Sequence, residues 1–383
     1  TLVILIAATI AGLLYYVDPN DYKDELITQA RPYMMGRDLQ IPGDIKLSFF
    51  PWLGVEVGEI VIGNAEGFVL KPFMTIKQSQ AHIKLLSLLS DTPEIGRLEF
   101  HGLVVNLQRD AEGRDNWSDL GKQAARNHTS PYRKVSTQPP AAQGMMIPEL
   151  RVQGIHLKDA TLNFEDRQAK SDITISKLNL DAGPIEKLAP IPLKGQFNYN
   201  STSQGLAAAS AFATTLSIAP ETGLLTLQEF LINTNVAGET LNNKTIPTSL
   251  KVPQLEIDLA KEKVTARPFF LTVDTMKSEG RLNLQRFSNP IVRLGLDMDE
   301  LDVDKLLPAE KPAEQKPAEA QRADTSPAIF AALIPLKTSD LQGTLNFKKL
   351  KVMNLQFDSV KLNLLARGGL VSALPEAGIY GGS

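Results

Sequence analysis

Cysteine is absent from the 383 residues. That excludes disulfides, thiolate metal ligands and cysteine nucleophiles. It fits the cytosol, or an oxidising envelope compartment where a free thiol is a liability. Aromatic residues are scarce, at 6% with two tryptophans. Leu, Ile and Val are plentiful, which suits many slim strands better than one large globular core. Neither sign of charge dominates: a net charge of −3 and a pI near 5.9 leave no basic excess for a nucleic-acid partner. Of the four histidines, His82, His101, His128 and His156, none lies at ligand spacing from another, so no metal site is expected. Gly-x-Ser-x-Gly, Gly-x-x-x-x-Gly-Lys-Ser/Thr and Gly-x-Gly-x-x-Gly are all missing. No catalytic residue and no cofactor is expected, and the chain reads as a non-enzyme.

Three weaker patterns have bland readings. Asp297 with Asp299 and Glu300 reads as solvated turn carboxylates rather than an acid/base pair. Asn127-His128-Thr129 matches a glycosylation triplet by chance inside a linker. Asp110–Asp119 lacks the spacing of a calcium loop and reads as a tight turn leading into a short helix at Trp117.

Thr1–Val17 carries no charge and no proline. As a helix it rises roughly 25 Å, slightly less than the ~30 Å hydrocarbon layer. Leu5, Ile10 and Leu14 lie within the run, and Tyr15 and Tyr16 at its end suit a membrane–water interface. Tyr-Tyr-Val-Asp-Pro follows instead of a small-x-small cleavage site, and no face is polar. An uncleaved transmembrane anchor is therefore expected over residues 1–17, with the natural start upstream. Residues 18–36 read as a juxtamembrane helix. Asp18 can cap it, Pro19 suits its first position, and Pro32 and Gly36 end it.

From Leu39 the hydrophobic period changes to two, as strands require. Ile45 and Leu47 alternate with polar neighbours. Val55 and Val57 are followed by Ile60 and Ile62, offset across Gly58-Glu59. Leu98 and Phe100, then Val105 and Leu107, repeat the pattern around Gly102. Residues 37–120 make a first β segment. Residues 121–147 are a linker rich in Gln, Ala, Pro, Ser and Thr. In a second β segment, 148–308, Leu162 with Phe164 and Ile173 with Ile175 alternate cleanly. Residues 309–325 are charged and rich in Pro and Ala, which suits a disordered tether. Residues 326–383 begin a further helix-plus-β segment that is expected to continue past the last residue.

An alternating apolar face is ordinarily core, packed against a second sheet or a helix. Here helices able to cover it are few and the aromatics that fill sandwich cores are sparse. On the residues alone, a covered core and an open groove both stand.

Several collinear stretches resemble the AsmA family of bacterial envelope proteins. They are Val17-Asp18-Pro19-Asn20-Asp21-Tyr22-Lys23, Leu47-Ser48-Phe49-Phe50-Pro51-Trp52-Leu53-Gly54, Gly63-Asn64-Ala65-Glu66-Gly67-Phe68, and Arg109–Leu120. The resemblance implies a single-pass inner-membrane protein with most of the chain in the periplasm. It also implies the fold of bridge-like lipid transfer proteins, an elongated and mostly antiparallel curved sheet with an apolar groove. Phospholipids and the inner membrane would then be its partners, together with envelope proteins, and its role would be passive phospholipid transport or homeostasis that affects outer-membrane assembly. Val105, Leu107, Leu162, Phe164, Ile173 and Ile175 are the expected groove residues. The alternative is a non-catalytic structural or assembly subunit of a larger envelope complex.

Overall fold

The computed structural model describes residues 18–34, 36–48, 53–68, 71–84, 94–119, 151–186, 188–241, 244–287, 290–302, 340–352, 354–367 and 370–378. The expected anchor with Leu5, Ile10, Leu14, Tyr15 and Tyr16, the linker, the tether and the short helix expected near residue 330 lie outside them. No helix among the described residues is long and apolar enough to cross a membrane. The described chain is mainly β with few helices. It divides into two compact units, one of residues 1–139, 147–187 and 195–204, the other of 140–146, 188–194 and 205–383.

Unit 1 opens on the capped helix. The Asp18 carboxylate accepts the Asn20 N–H at 2.8 Å, and Pro19 starts a 3-10 turn, Pro19–Tyr22, that runs into α1 (Lys23–Ala30). Pro32 sits in a closing 3-10 turn and Gly36 turns the chain at φ +80°. Asn20 fastens this end to the sheet. Its side chain accepts the Ile45 N–H at 2.8 Å and donates to the Ile45 carbonyl at 3.2 Å, acting as a one-residue strand partner.

The strands of unit 1 come as broken pairs. They are β1 (Leu39–Gln40) and β2 (Ile45–Ser48), β3 (Leu53–Val57) and β4 (Ile60–Ile62), β5 (Met74–Ile76) and β6 (Gln78–Ile83), and β7 (Glu94–His101) and β8 (Val104–Arg109). The long β9 (Arg151–Asp166) lies parallel to β7 along its first half and to β8 along its second. Then β10 (Ser171–Ala182) pairs with it antiparallel, and β11 (Ile191–Ser201) follows, with residues 191–194 counted in unit 2 and 195–201 in unit 1.

The breaks form a seam across the strands. Gly43 faces Gly58 there, and a Cβ on Gly43 would overlap the Glu59 nitrogen, so only glycine allows this approach. Gly102 lies on the seam, as do Asp159 and Lys177, both at positive φ. In β9, Lys158 and Asp159 together oppose Asn179; in β10, Ser176 and Lys177 oppose Thr161. Each one-residue bulge reverses the alternation. Ile155 and Leu157 therefore share a face with Leu162 and Phe164, and Ile173 and Ile175 share it with Leu178 and Leu180.

Unit 2 holds β12 (Leu206–Ala219), β13 (Leu224–Gly238), β14 (Ile246–Asp258), β15 (Lys263–Val273), β16 (Met276–Gln285), β17 (Ile291–Asp302), β18 (Asp340–Val352), β19 (Leu355–Arg367) and β20 (Leu370–Gly378). Successive strands pair in chain order and antiparallel, except that β17 and β18 are parallel. The antiparallel expectation thus holds for most pairs. The parallel ones, β7 and β8 with β9 and β17 with β18, join strands separated by the two stretches read from sequence as linkers. A parallel neighbour needs a long return connection, which a tight turn cannot supply.

Among the described residues, every extensive contact between two strands is between hydrogen-bonded neighbours, and the extensive contact of α1 with a strand is with β1. Each unit is therefore an open, single-layer sheet in its described part.

Candidate functional site

Period-two alternation on a single layer gives each unit one aliphatic face and one polar face. In unit 1 the register places Val105, Leu162 and Ile175 in one row across β8, β9 and β10, and Leu107, Phe164 and Ile173 in the next. All six residues expected from sequence to line a groove are thus neighbours on one face. Leu39, Ile62 and Met74 extend the first row across β1, β4 and β5. Beyond the seam lie Leu47, Val55, Ala81, Leu98 and Ile155 in one row, and Ile45, Val57, Ser79, Phe100 and Leu157 in another. The opposite face is polar. Asn163 and Thr174, which alternate with the groove residues, pair there, with the Asn163 amide donating to Asn106 Oδ1 at 2.9 Å.

Around these six residues burial is inverted relative to an ordinary core. The six candidate groove residues are half-buried, whereas Asn106, Gln108 and Asn116 behind them are buried, Asn116 completely at 0% exposure. Sequence reasoning missed this polar knot. Asn116 accepts the Gln108 N–H at 2.8 Å and donates to the Asn106 carbonyl at 2.8 Å and to Asn64 Oδ1 at 2.9 Å. Its side chain so takes over as hydrogen-bonding partner along β8 beyond the end of β5. Arg37 locks the arrangement. It donates to both Asp119 carboxylate oxygens at 2.8 and 2.9 Å and to the Asn116 carbonyl at 2.8 Å, with its guanidinium 4.8 Å over Phe73. The available signal was that two quoted stretches, Gly63–Phe68 and Arg109–Leu120, concentrate Asn and Asp where alternation stops.

The aliphatic face of unit 1 ends in a polar rim. Arg109 and Asp166, the next pair after Leu107 and Phe164, form an ion pair at 3.0 Å. Trp117 packs on Phe164 at 5.9 Å between ring centroids, and the Arg109 guanidinium lies 5.5 Å from the Trp117 ring. Asp115 holds this tryptophan in place by accepting the N–H groups of Trp117 and Ser118 at 3.2 and 2.7 Å. Burial alone would raise the Asp115 carboxyl. The N–H donors of Ser118 and Trp117 and the nearby Arg109 outweigh it and hold the group below the ordinary carboxylate range. A carboxyl lowered by folding stabilises above its unfolded value near 4, and that stabilisation is lost as pH falls through the lower folded value. Acid titration from about pH 5 downward should therefore loosen Trp117 from Phe164. The reading is Trp117 fluorescence in a Trp52→Phe background. An Asp115→Asn variant should show the loosened emission already at neutral pH. A spectrum flat from about pH 5 to 2 would refute the clamp.

In unit 2 the aliphatic rows are longer. Leu225, Ile257, Val264, Leu284, Val292, Leu341 and Ala366 form one continuous row. Two clusters on this face are more closed: Val252, Ala266 and Phe269, and Met298, Leu301, Phe347 and Val360, all buried. The opposite face carries Glu279, Asp297, Asn346, Lys361 and Glu376 in register. Among the described residues, no three His, Asp or Glu side chains converge as metal ligands.

Open sheets with one aliphatic face and one charged face define a β protein built around an extended apolar surface. The sequence profile of the AsmA family matches residues 1–305, and the chain belongs to that family. It is similar to Protein AsmA of Escherichia coli (strain K12), 20% identical over 391 aligned positions that cover 97% of this chain and 59% of that protein. The chain thus spans somewhat more than half the length of that relative.

Proposed function

We propose that this protein is a non-catalytic envelope protein that holds phospholipid acyl chains along its aliphatic face. In this reading residues 1–17 anchor it in the inner membrane, the bulk lies in the periplasm, and lipid passes toward the outer membrane in support of its assembly. The observation that carries the reading is the half-buried, unlayered row Leu39, Ile62, Met74, Val105, Leu162 and Ile175, set against buried amides on the other face. A soluble domain normally hides aliphatics and wets amides. Each methylene that leaves water for such a face gains ~0.8 kcal/mol, enough over one acyl chain to hold it, and near-equivalent rows let it slide without a large barrier. The Arg109–Asp166 rim offers a headgroup charged partners at one margin of the face.

Site-specific crosslinking tests this. A photo-reactive amino acid at Phe164 or Ile175 should capture phospholipid in membranes, and one at Asn163 or Thr174 should not. Ile173→Asp should leave the protein folded, because its carboxylate reaches water along the open face, while lipid capture drops. The second reading, an assembly subunit that carries no lipid, draws on the closed clusters around Phe269 and Phe347. Equal capture on both faces, or none on either with the fold intact, would favour it.

A further inference from the structure

Three arginines with no role in acyl-chain binding meet on the polar face of unit 2. Arg267 of β15, Arg281 of β16 and Arg293 of β17 line one open cavity of about 540 Å³, together with Asn283, Gln342 and Thr344. The register brings them together. Arg281 pairs with Gly295, and Asn283 with Arg293, which in turn pairs with Gln342; Arg267 follows Ala266, the partner of Leu282. Gly295 lies at the centre. A Cβ there would stand 3.8 Å from Arg281 Nε, so its absence keeps the space between the guanidiniums open.

Among the described residues, no carboxylate lines this cavity. Asp297 approaches Arg281 Nη2 only to 3.7 Å and is already bound by the Asn346 amide at 2.6 Å. Arg293 Nε donates to a neutral group, Gln342 Oε1, at a long 3.4 Å. Like charges on adjacent strands repel. Elsewhere on this face opposite signs meet closely, as Lys348 with Asp299 at 2.7 Å. Three guanidiniums around a glycine position share one long carboxylate contact, Arg281 with Asp297, and an anion from outside would relieve their repulsion. Guanidinium forks match phosphate oxygens in pairs, and the amides and the Thr344 hydroxyl can serve the remaining oxygens.

We propose that Arg267, Arg281 and Arg293 form a binding site for a phosphate-bearing anion, either free in solution or as a lipid headgroup. The site lies on the face opposite the aliphatic rows and stands whether or not those rows carry acyl chains. Calorimetric titration of the detergent-solubilised full chain tests it, with inorganic pyrophosphate in one arm and dihexanoylphosphatidylglycerol in the other. Dihexanoylphosphatidylcholine is the zwitterionic control. Saturable pyrophosphate binding is expected. It should weaken with added NaCl, and by about tenfold or more in Arg281→Gln/Arg293→Gln and in Gly295→Leu, because the charge-assisted pairs are lost or blocked. Arg97→Gln, in unit 1, should bind as the parent does. Unchanged melting temperatures separate loss of the site from loss of the fold. Binding of pyrophosphate alone assigns a soluble phosphate; tighter binding of the phosphatidylglycerol assigns a headgroup. Non-saturable binding, or equal affinity in parent and double variant, overturns the proposal.

Discussion

Replacing Asn116 with leucine should cost on the order of 3–5 kcal/mol of stability, from several buried groups at about 1–3 kcal/mol each. The side chain is fully buried, and leucine branches at the same atom but carries bulkier methyl groups, so overpacking adds to the loss of polarity. Three groups lose their partner together: the Gln108 N–H, the Asn106 carbonyl and Asn64 Oδ1. The Asn64 oxygen keeps the Ala65 N–H at 2.8 Å, which softens the loss there. Asn116→Asp should restore only part of it. It still accepts from Gln108, but it sets a buried charge against two oxygens that need a donor. Urea denaturation of the solubilised chain, followed by circular dichroism, reads both variants. A loss below about 1 kcal/mol for the leucine variant would mean that the knot is not a stability determinant.

The second large effect is expected at a glycine in unit 2. Phe269 and Gly280 are directly paired across β15 and β16, and a Cβ on Gly280 would overlap the far edge of the Phe269 ring. The aromatic ring lies over the glycine and, with Val252 and Ala266, forms a buried cluster. Gly280→Val must push the ring aside and should cost about 1–3 kcal/mol or more. Phe269→Ala removes the ring and should cost about 3–5 kcal/mol. In the double variant the valine enters space the ring has left, so its cost should fall short of the sum by at least about 1 kcal/mol. Strict additivity would show that the two positions do not share that space.

These two sites differ in how far sequence foretold them. The aliphatic face was legible because alternation needs no long-range information. Leu162 with Phe164 and Ile173 with Ile175 are each two residues apart, and the turn between them fixes their pairing. Even the slip of alternation was visible, in Val55 and Val57 followed by Ile60 and Ile62. The fact that such slips align into one seam was not. At Asp159 and Lys177 the positive φ falls on a polar residue that carries none of glycine's sequence signal. The knot was hidden for another reason. Arg37, Asn64 and Asn116 are far apart in the chain, and hydrophobic periodicity says nothing about which amides will find each other.

The sequence by itself determined the strand-rich class, the apolar and polar sides of each strand, the capped helix at Asp18, and the lack of any recognised catalytic motif. These are local properties, set by side-chain period, turn residues and capping chemistry. Only the tertiary structure decided which strands lie side by side. That choice put Val105 beside Leu162 through a parallel pairing across a long connection, set three arginines around Gly295, and left the described aliphatic face without a second layer. Each of these outcomes depends on hydrogen-bond register between distant segments. Register is fixed by the whole set of strand pairings at once, and no single stretch of sequence contains it.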